Sequence, residues 1–246
     1  MTTMRTTSNQ SADALPLSWQ RVSALSGIAF AVLLLVGFFI SGSDTPDYTA
    51  TDQEWTNWAE ANESKSRIGA LLTLIAGFVF LHFAGTIRSV LGSAEAATTG
   101  SVQLARVAFA GGLIGITGIA IAVVIIAGAT ALGDVADPVV SRAVATTTVG
   151  PFLVAAMGFA GLLSAAGLIT LRTSTFARWI GVAALVGGLA FFITFFTLAV
   201  GPNKDSIFGY GFFVGFLSLA TWSVATSAAL YRSAGPQPAS GPDQHS

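Results

Sequence analysis

Residues 107–131 read VAFAGGLIGITGIAIAVVIIAGATA, twenty-five residues without one charge. At 1.5 Å per residue, a helix of that length crosses a hydrocarbon core of about 30 Å. Backbone N–H and C=O groups inside lipid must find partners within the segment, and a helix provides them. This stretch is therefore predicted to be a transmembrane helix. Two similar runs precede it, at 22–41 and 68–87, and three follow, at 151–171, 179–200 and 207–231. All six contain 20 to 25 residues. The run at 22–41 exceeds a signal-peptide core and follows a long polar segment, so it too is read as a span.

The same bias pervades the 246 residues, of which 53% are hydrophobic and only 9% charged, with mean hydropathy +0.72. A soluble domain carries about 25% charged residues, so too little polar surface exists here to coat a water-facing globule. The predicted fold is all-α: a polytopic six-transmembrane-helix bundle of three helical hairpins over residues 21–232. Residues 1–20 and 233–246, rich in Ser, Thr, Gly and Pro, read as disordered cytoplasmic tails.

Orientation follows from arginine and lysine near the span ends. With the N-terminus inside, the cytoplasmic segments hold Arg5, Arg21, Arg88, Arg106, Arg172, Arg178 and Arg232. The external segments hold Lys65, Arg67, Arg142 and Lys204. Seven basic residues against four place both termini in the cytoplasm. Nine of the twelve acids, Asp52, Glu54, Glu60 and Glu63 among them, then make the outer face acidic. Arg21, Arg106 and Arg178 each open an outward helix, and Arg88, Arg172 and Arg232 each close a return helix. That pattern reads either as an internal repeat or as the positive-inside bias acting on three hairpins.

Several boundaries carry local signals. Thr51-Asp52-Gln53-Glu54 is a capping box, so a short interfacial helix is expected from Asp52 in the first external loop. Trp55 and Trp58 share one face of that helix and, with Tyr48, read as an interfacial anchor, or else as part of a lid or docking surface. Asp137-Pro138 reads as an N-cap and first helical residue, with a kink at Gly150-Pro151. The third helix is expected to reach back to about Ser101.

His82 is the one ionisable residue well inside a span. The positions that share its face (Gly85, Thr86 and Ser89) are small and polar, so it is expected to point into the bundle, with Thr86 beside it. An intramembrane ionisable residue suggests a functional site. The competing reading is a neutral imidazole hydrogen-bonded to a hydroxyl of another helix. Gly111, Gly115 and Gly118 form a small-residue stripe on the third span, as do Gly211 and Gly215 on the sixth. Such stripes let helices approach closely. Trp222 continues the second stripe and is expected to fill the interior. Phenylalanine crowds the outer half, at 38, 39, 191, 192, 195, 196, 208, 212, 213 and 216. It reads either as lipid-facing bulk or as the wall of an apolar pocket.

Other chemistries lack their residues. The absence of cysteine excludes disulfides and thiolate sites. A net charge of −1 gives no nucleic-acid-binding face. No carboxylate lies in the middle of a span, and no HExxH, GxSxG or phosphate-binding loop occurs. No cofactor is expected.

The acidic first loop running into Ser66-Arg67-Ile68-Gly69, the stretch from Arg106 to Gly112, and Phe176-Ala177-Arg178-Trp179-Ile180-Gly181 before the fifth span form a recognisable set. Across residues 20–232 the chain resembles a group of six-helix integral membrane proteins of actinobacteria, a group without an established activity. The resemblance implies a bacterial inner membrane and no particular chemistry. The expected function is a non-enzymatic scaffold or accessory subunit, with membrane lipids and another membrane protein or a second copy as partners. The alternative is a small carrier or binding protein for a lipid or other apolar molecule.

Overall fold

The structure, a computed structural model, describes residues 17–41, 45–47, 49–132, 137–201 and 207–233. Most of both predicted tails, Tyr48 and the side chain of Phe208 lie outside the described residues. Among the described residues, eight helices follow in order: α1 (Leu17–Ser41), α2 (Asp52–Thr99), α3 (Gln103–Ala131), α4 (Pro138–Thr146), α5 (Val149–Thr173), α6 (Arg178–Ile193), α7 (Thr197–Val200) and α8 (Ile207–Ser233). A 3₁₀ turn at Thr194–Phe196 joins α6 to α7. Six helical segments are long and apolar enough to cross a membrane, which makes the chain a multi-pass membrane protein.

The spans form a closed ring. Going around it, α1 touches α2, α2 touches α3, α3 touches α5, α5 touches α6, α6 touches α8, and α8 returns to α1. Leu71, Phe78, Ile114, Ile121 and Leu189 are exposed on the outside of this ring, an apolar belt suited to lipid and not to water. Inside, Phe30, Phe80, Phe83, Phe159, Phe191, Phe216 and Trp222 are fully buried. Phe30 meets Phe80 with centroids 4.7 Å apart, and Phe83 meets Trp222 edge-on at 5.7 Å.

Glycine sets the tightest seam. A Cβ added to Gly111 of α3 would lie 2.6 Å from the Gly158 carbonyl oxygen and 2.7 Å from the Leu162 nitrogen of α5. One added to Gly118 would lie 2.7 Å from both Pro151 O and Ala155 N. These two helices therefore meet backbone to backbone, within one chain, as small residues permit in lipid. The pair Gly37 and Gly69 does the same for α1 and α2: a Cβ on Gly69 would reach Gly37 O at 2.6 Å.

Two expectations about boundaries need correction. Among the described residues, the segment between the first two spans holds no separate short helix. The capping box is present, with Thr51 N–H donating to Glu54 Oε2 at 2.7 Å and Glu54 N–H donating to Thr51 Oγ1 at 3.3 Å. The helix it starts continues unbroken for 48 residues as α2. It spans about 72 Å, far beyond a core of about 30 Å, so both its ends project. Neither proline nor glycine interrupts residues 52–68, and nothing stops the helix until Gly100, which adopts φ +69°.

The second correction concerns the kink near Gly150-Pro151, which falls earlier, between Thr146 and Val149. Pro151 has no N–H to offer the Thr147 carbonyl. The chain instead closes α4 with tight bonds from Thr147 N to Val144 O and from Thr148 N to Ala145 O, each 3.2 Å. Asp137 caps α4 as expected, accepting from Val139 N–H at 2.9 Å.

At the arginine-bearing end, α2 and α3 are locked by a group that sequence reading passed over. The buried Glu95 carboxylate accepts from Leu104 N–H at 3.0 Å and from Ala105 N–H at 2.9 Å. It thus satisfies orphan donors at the start of α3, where the helix dipole also favours negative charge.

Candidate functional site

At the opposite, acidic end, the ring of spans does not fill its own centre. A cavity of about 430 Å³ opens there, and all six spans line it. Leu34 and Phe38 come from α1, Trp55 and Thr73 from α2, and Ile119, Val123 and Ile126 from α3. Thr148, Val149, Phe152 and Leu153 lie at the start of α5, Thr194 and Thr197 around the 3₁₀ turn, and Gly209, Phe212 and Phe216 on α8. The depth can be read along three helices. Ser41 to Leu34, Ile126 to Ile119, and Gly209 to Phe216 are each seven residues apart, or about 10 Å at helical rise. Ser41, Thr194 and Thr197 bring hydroxyls to the upper level, Thr73 brings one deeper, beside Gly37, and Leu34, Ile119 and Phe216 make the lower level apolar.

The break between α4 and α5 and the 3₁₀ turn after α6 bend two spans at the level of the cavity. Phe212 stacks edge-on with Phe152 at 5.4 Å and with Phe191 at 5.6 Å, so α8 joins α5 and α6 along the wall. Below the cavity, Phe30, Phe80, Phe83 and Trp222 close the bundle. The cavity is thus blind at the arginine-bearing end.

Among the described residues, no Asp, Glu, Lys, Arg or His lines it. Four of its hydroxyls donate to carbonyls of their own helices: Ser41 to Gly37 at 2.8 Å, Thr73 to Gly69 at 2.9 Å, Thr148 to Ala145 at 2.7 Å and Thr194 to Ala190 at 3.1 Å. The Thr197 hydroxyl oxygen is buried and has no partner among the described residues. Among those residues, no cluster of three His, Asp or Glu side chains could hold a metal.

Trp55 covers the acidic end of this cavity, which corrects its reading as an interfacial anchor. It is 4% exposed, packs with Ala129 and Ala145, and donates its indole N–H to the Asp47 carbonyl at 3.2 Å. Trp58, half-buried, lies edge-on to it at 5.9 Å. The projecting start of α2 lies against α4, an arrangement no local spacing reveals, and that contact buries the indole. Arg142 of α4 bonds Asp52 of α2 at 2.9 Å across this contact. Next to Trp55, the Glu54 carboxyl is held below its ordinary range, first by the Thr51 backbone N–H and then by the Thr51 hydroxyl.

His82 is also corrected. It lies on the exposed face of α2, edge-on to the exposed Phe78 at 5.5 Å, and not inside the bundle. Thr86 uses its hydroxyl on the His82 carbonyl at 3.1 Å, so the two do not form a polar site. The inward face at this level belongs to Phe83, Ala84 and Ile87. A small, polar trio near the end of a span suits the interfacial zone as well as it suits a bundle interior, and here it faces out. Gly111, Gly115, Gly118, Gly211, Gly215 and Trp222 are all buried, the glycines on α3 against α5 and those on α8 against α6.

The hydroxyls of the cavity went unnoticed in the sequence because they are scattered over five segments. Only the concentration of phenylalanine in one half of the spans pointed towards it. Comparison of the chain with protein-family models, curated proteins and solved structures finds no match.

Proposed function

We propose that this chain is a non-catalytic membrane protein that holds a small apolar molecule at its acidic end. In this reading it lies in a bacterial inner membrane with both termini cytoplasmic, so the cavity faces the external side. The single observation that carries the reading is the cavity itself. Its volume falls within the range of about 300–1,000 Å³ typical of small-molecule sites, and its wall is aromatic and aliphatic with a few hydroxyls. An apolar occupant would take this largely hydrocarbon wall out of contact with water. A binding role therefore has more support than a bare scaffold, and membrane lipid is the nearest source of an occupant.

The test is native mass spectrometry of the protein released from a mild detergent or a native nanodisc. Wild type is expected to carry a small-molecule adduct, and Val123→Trp and Val149→Trp, which fill the cavity from two sides, are expected to lose it while remaining helical by circular dichroism. The same adduct on wild type and on both folded variants, or none on wild type, would overturn the reading.

A further inference from the structure

We infer that the occupant of this cavity is an uncharged alcohol, a short or compact apolar body bearing a hydroxyl head that lies at the acidic end. The inference rests on the binding role proposed above and names the ligand class. It starts from the gradient along the wall, with most hydroxyls near the acidic end and the hydrocarbon of Leu34, Ile119 and Phe216 about 10 Å deeper. An amphiphile fits that gradient in one direction only.

The chemistry of the lining hydroxyls selects the head. A hydroxyl has one proton to donate and two lone pairs to accept with. At Ser41, Thr73, Thr148 and Thr194 the proton is already given to the helix backbone. These four therefore face the cavity as acceptors and want a donor from the ligand. The buried Thr197 hydroxyl has no partner among the described residues, so it can donate to the ligand's oxygen. One ligand hydroxyl, donating to a threonine or serine and accepting from Thr197, satisfies both halves. A carboxylate or phosphate brings only acceptors and a charge, and among the described residues no cationic side chain lines the wall to meet it. A quaternary ammonium brings a charge with no lining carboxylate opposite among the described residues. Either ion would lose its hydration without a compensating partner.

The position of Trp55 in the wall supplies the readout. Bromine quenches tryptophan fluorescence on contact, so the probes are ω-bromoalkyl chains of one length ending in an alcohol, a carboxylate, a trimethylammonium or a plain methyl group. Each is titrated at pH 8 into wild type and into Trp55→Phe, and the quenching lost in the variant reports occupancy of the cavity. The bromoalcohol is expected to bind about a hundredfold more tightly than the carboxylate or the ammonium, in keeping with the cost of an unpaired buried charge. Thr197→Val is expected to weaken the bromoalcohol about fivefold, in line with one neutral hydrogen bond, and to leave the bromoalkane unchanged. A purely structural role for Thr197 would shift both probes together. If the carboxylate quenches Trp55 as well as the alcohol does, or if Thr197→Val weakens both neutral probes alike, the alcohol assignment fails while the cavity still binds. If no probe quenches Trp55, the binding role itself fails.

Discussion

Gly111→Ala offers the sharpest test of how α3 and α5 are held together. The new methyl carbon would lie 2.6 Å from Gly158 O and 2.7 Å from Leu162 N, and ordinary contact begins near 3.4 Å. Both neighbours are backbone, so no side chain can turn aside. The helices must separate by about 0.8 Å (3.4 minus 2.6) at this point, a gap that forfeits a quarter to a half of the dispersion energy of atoms facing across it. Overpacking of this kind costs about 1–3 kcal/mol, and a backbone-on-backbone clash belongs at the upper end. Alanine returns at most about 1 kcal/mol of helix propensity over glycine, so a net loss of about 2 kcal/mol is expected. Gly161, three residues from Gly158 on α5, is the control, since its added Cβ would meet nothing nearer than Gly111 Cα at 4.0 Å. Gly161→Ala should be neutral or stabilising by up to about 1 kcal/mol. The two variants therefore differ by about 3 kcal/mol, read by reversible unfolding in mixed micelles with circular dichroism. Native mass spectrometry should show the same oligomeric state for both, because the clash lies within one chain. Equal stabilities for Gly111→Ala and Gly161→Ala would refute a glycine-gated α3–α5 seam.

Three further outcomes are expected. Glu95→Ala should cost about 1.5–3 kcal/mol, the range for hydrogen bonds to a charged group, because two N–H groups at the start of α3 lose their acceptor; Glu95→Gln keeps one acceptor and should cost about half, by the same unfolding assay. The capping box at Thr51 and Glu54 should make the first turn of α2 sensitive to acid. The Glu54 carboxyl is lowered in the folded state, so its contribution is complete above the ordinary carboxylate value and is lost as pH falls through the lowered one. Hydrogen exchange at Glu54 and Trp55 amides should quicken over that acidic window, and Glu54→Gln should abolish the pH dependence. Finally, His82→Leu should change stability by less than about 0.5 kcal/mol and leave probe binding intact, as for an outward side chain away from any special contact; a larger loss would mean that the imidazole has an inward partner.

Six spans and three hairpins were legible because each apolar run alone is long enough to cross a bilayer, and lipid leaves the backbone no alternative to a helix. The capping box at Thr51 and the cap at Asp137 were legible because they are local, completed within three residues. The helix from Asp52 was expected to be short and separate because its charges set it apart from the span, although the lack of any glycine or proline in 52–67 was a signal for a helix running straight into it. Trp55 and His82 were misread for a different reason. Each assignment depended on which neighbour a face meets, and spacing along one helix cannot say whether that neighbour is lipid or α4. The cavity was the least legible feature, because its hydroxyls fall on five segments that only the ring brings together.

The closed lower end of the cavity constrains what the bundle can do with an occupant. Passage towards the arginine-bearing end would have to displace Phe30, Phe80, Phe83 and Trp222, all fully buried and stacked on one another. Close-packed interiors do not yield gradually; they switch between discrete arrangements. At the acidic end, Trp55 donates one hydrogen bond to a carbonyl and packs in a small cluster with Ala129 and Ala145, and the Arg142–Asp52 pair beside it is 34% and 39% exposed. An exposed pair of that kind contributes about 0–1 kcal/mol. If the cavity holds a molecule as proposed, exchange at the Trp55 end would meet less packed aromatic material than passage through the plug. Under that proposal, a site that loads and releases on one face fits this closed lower end better than a conduit that connects two.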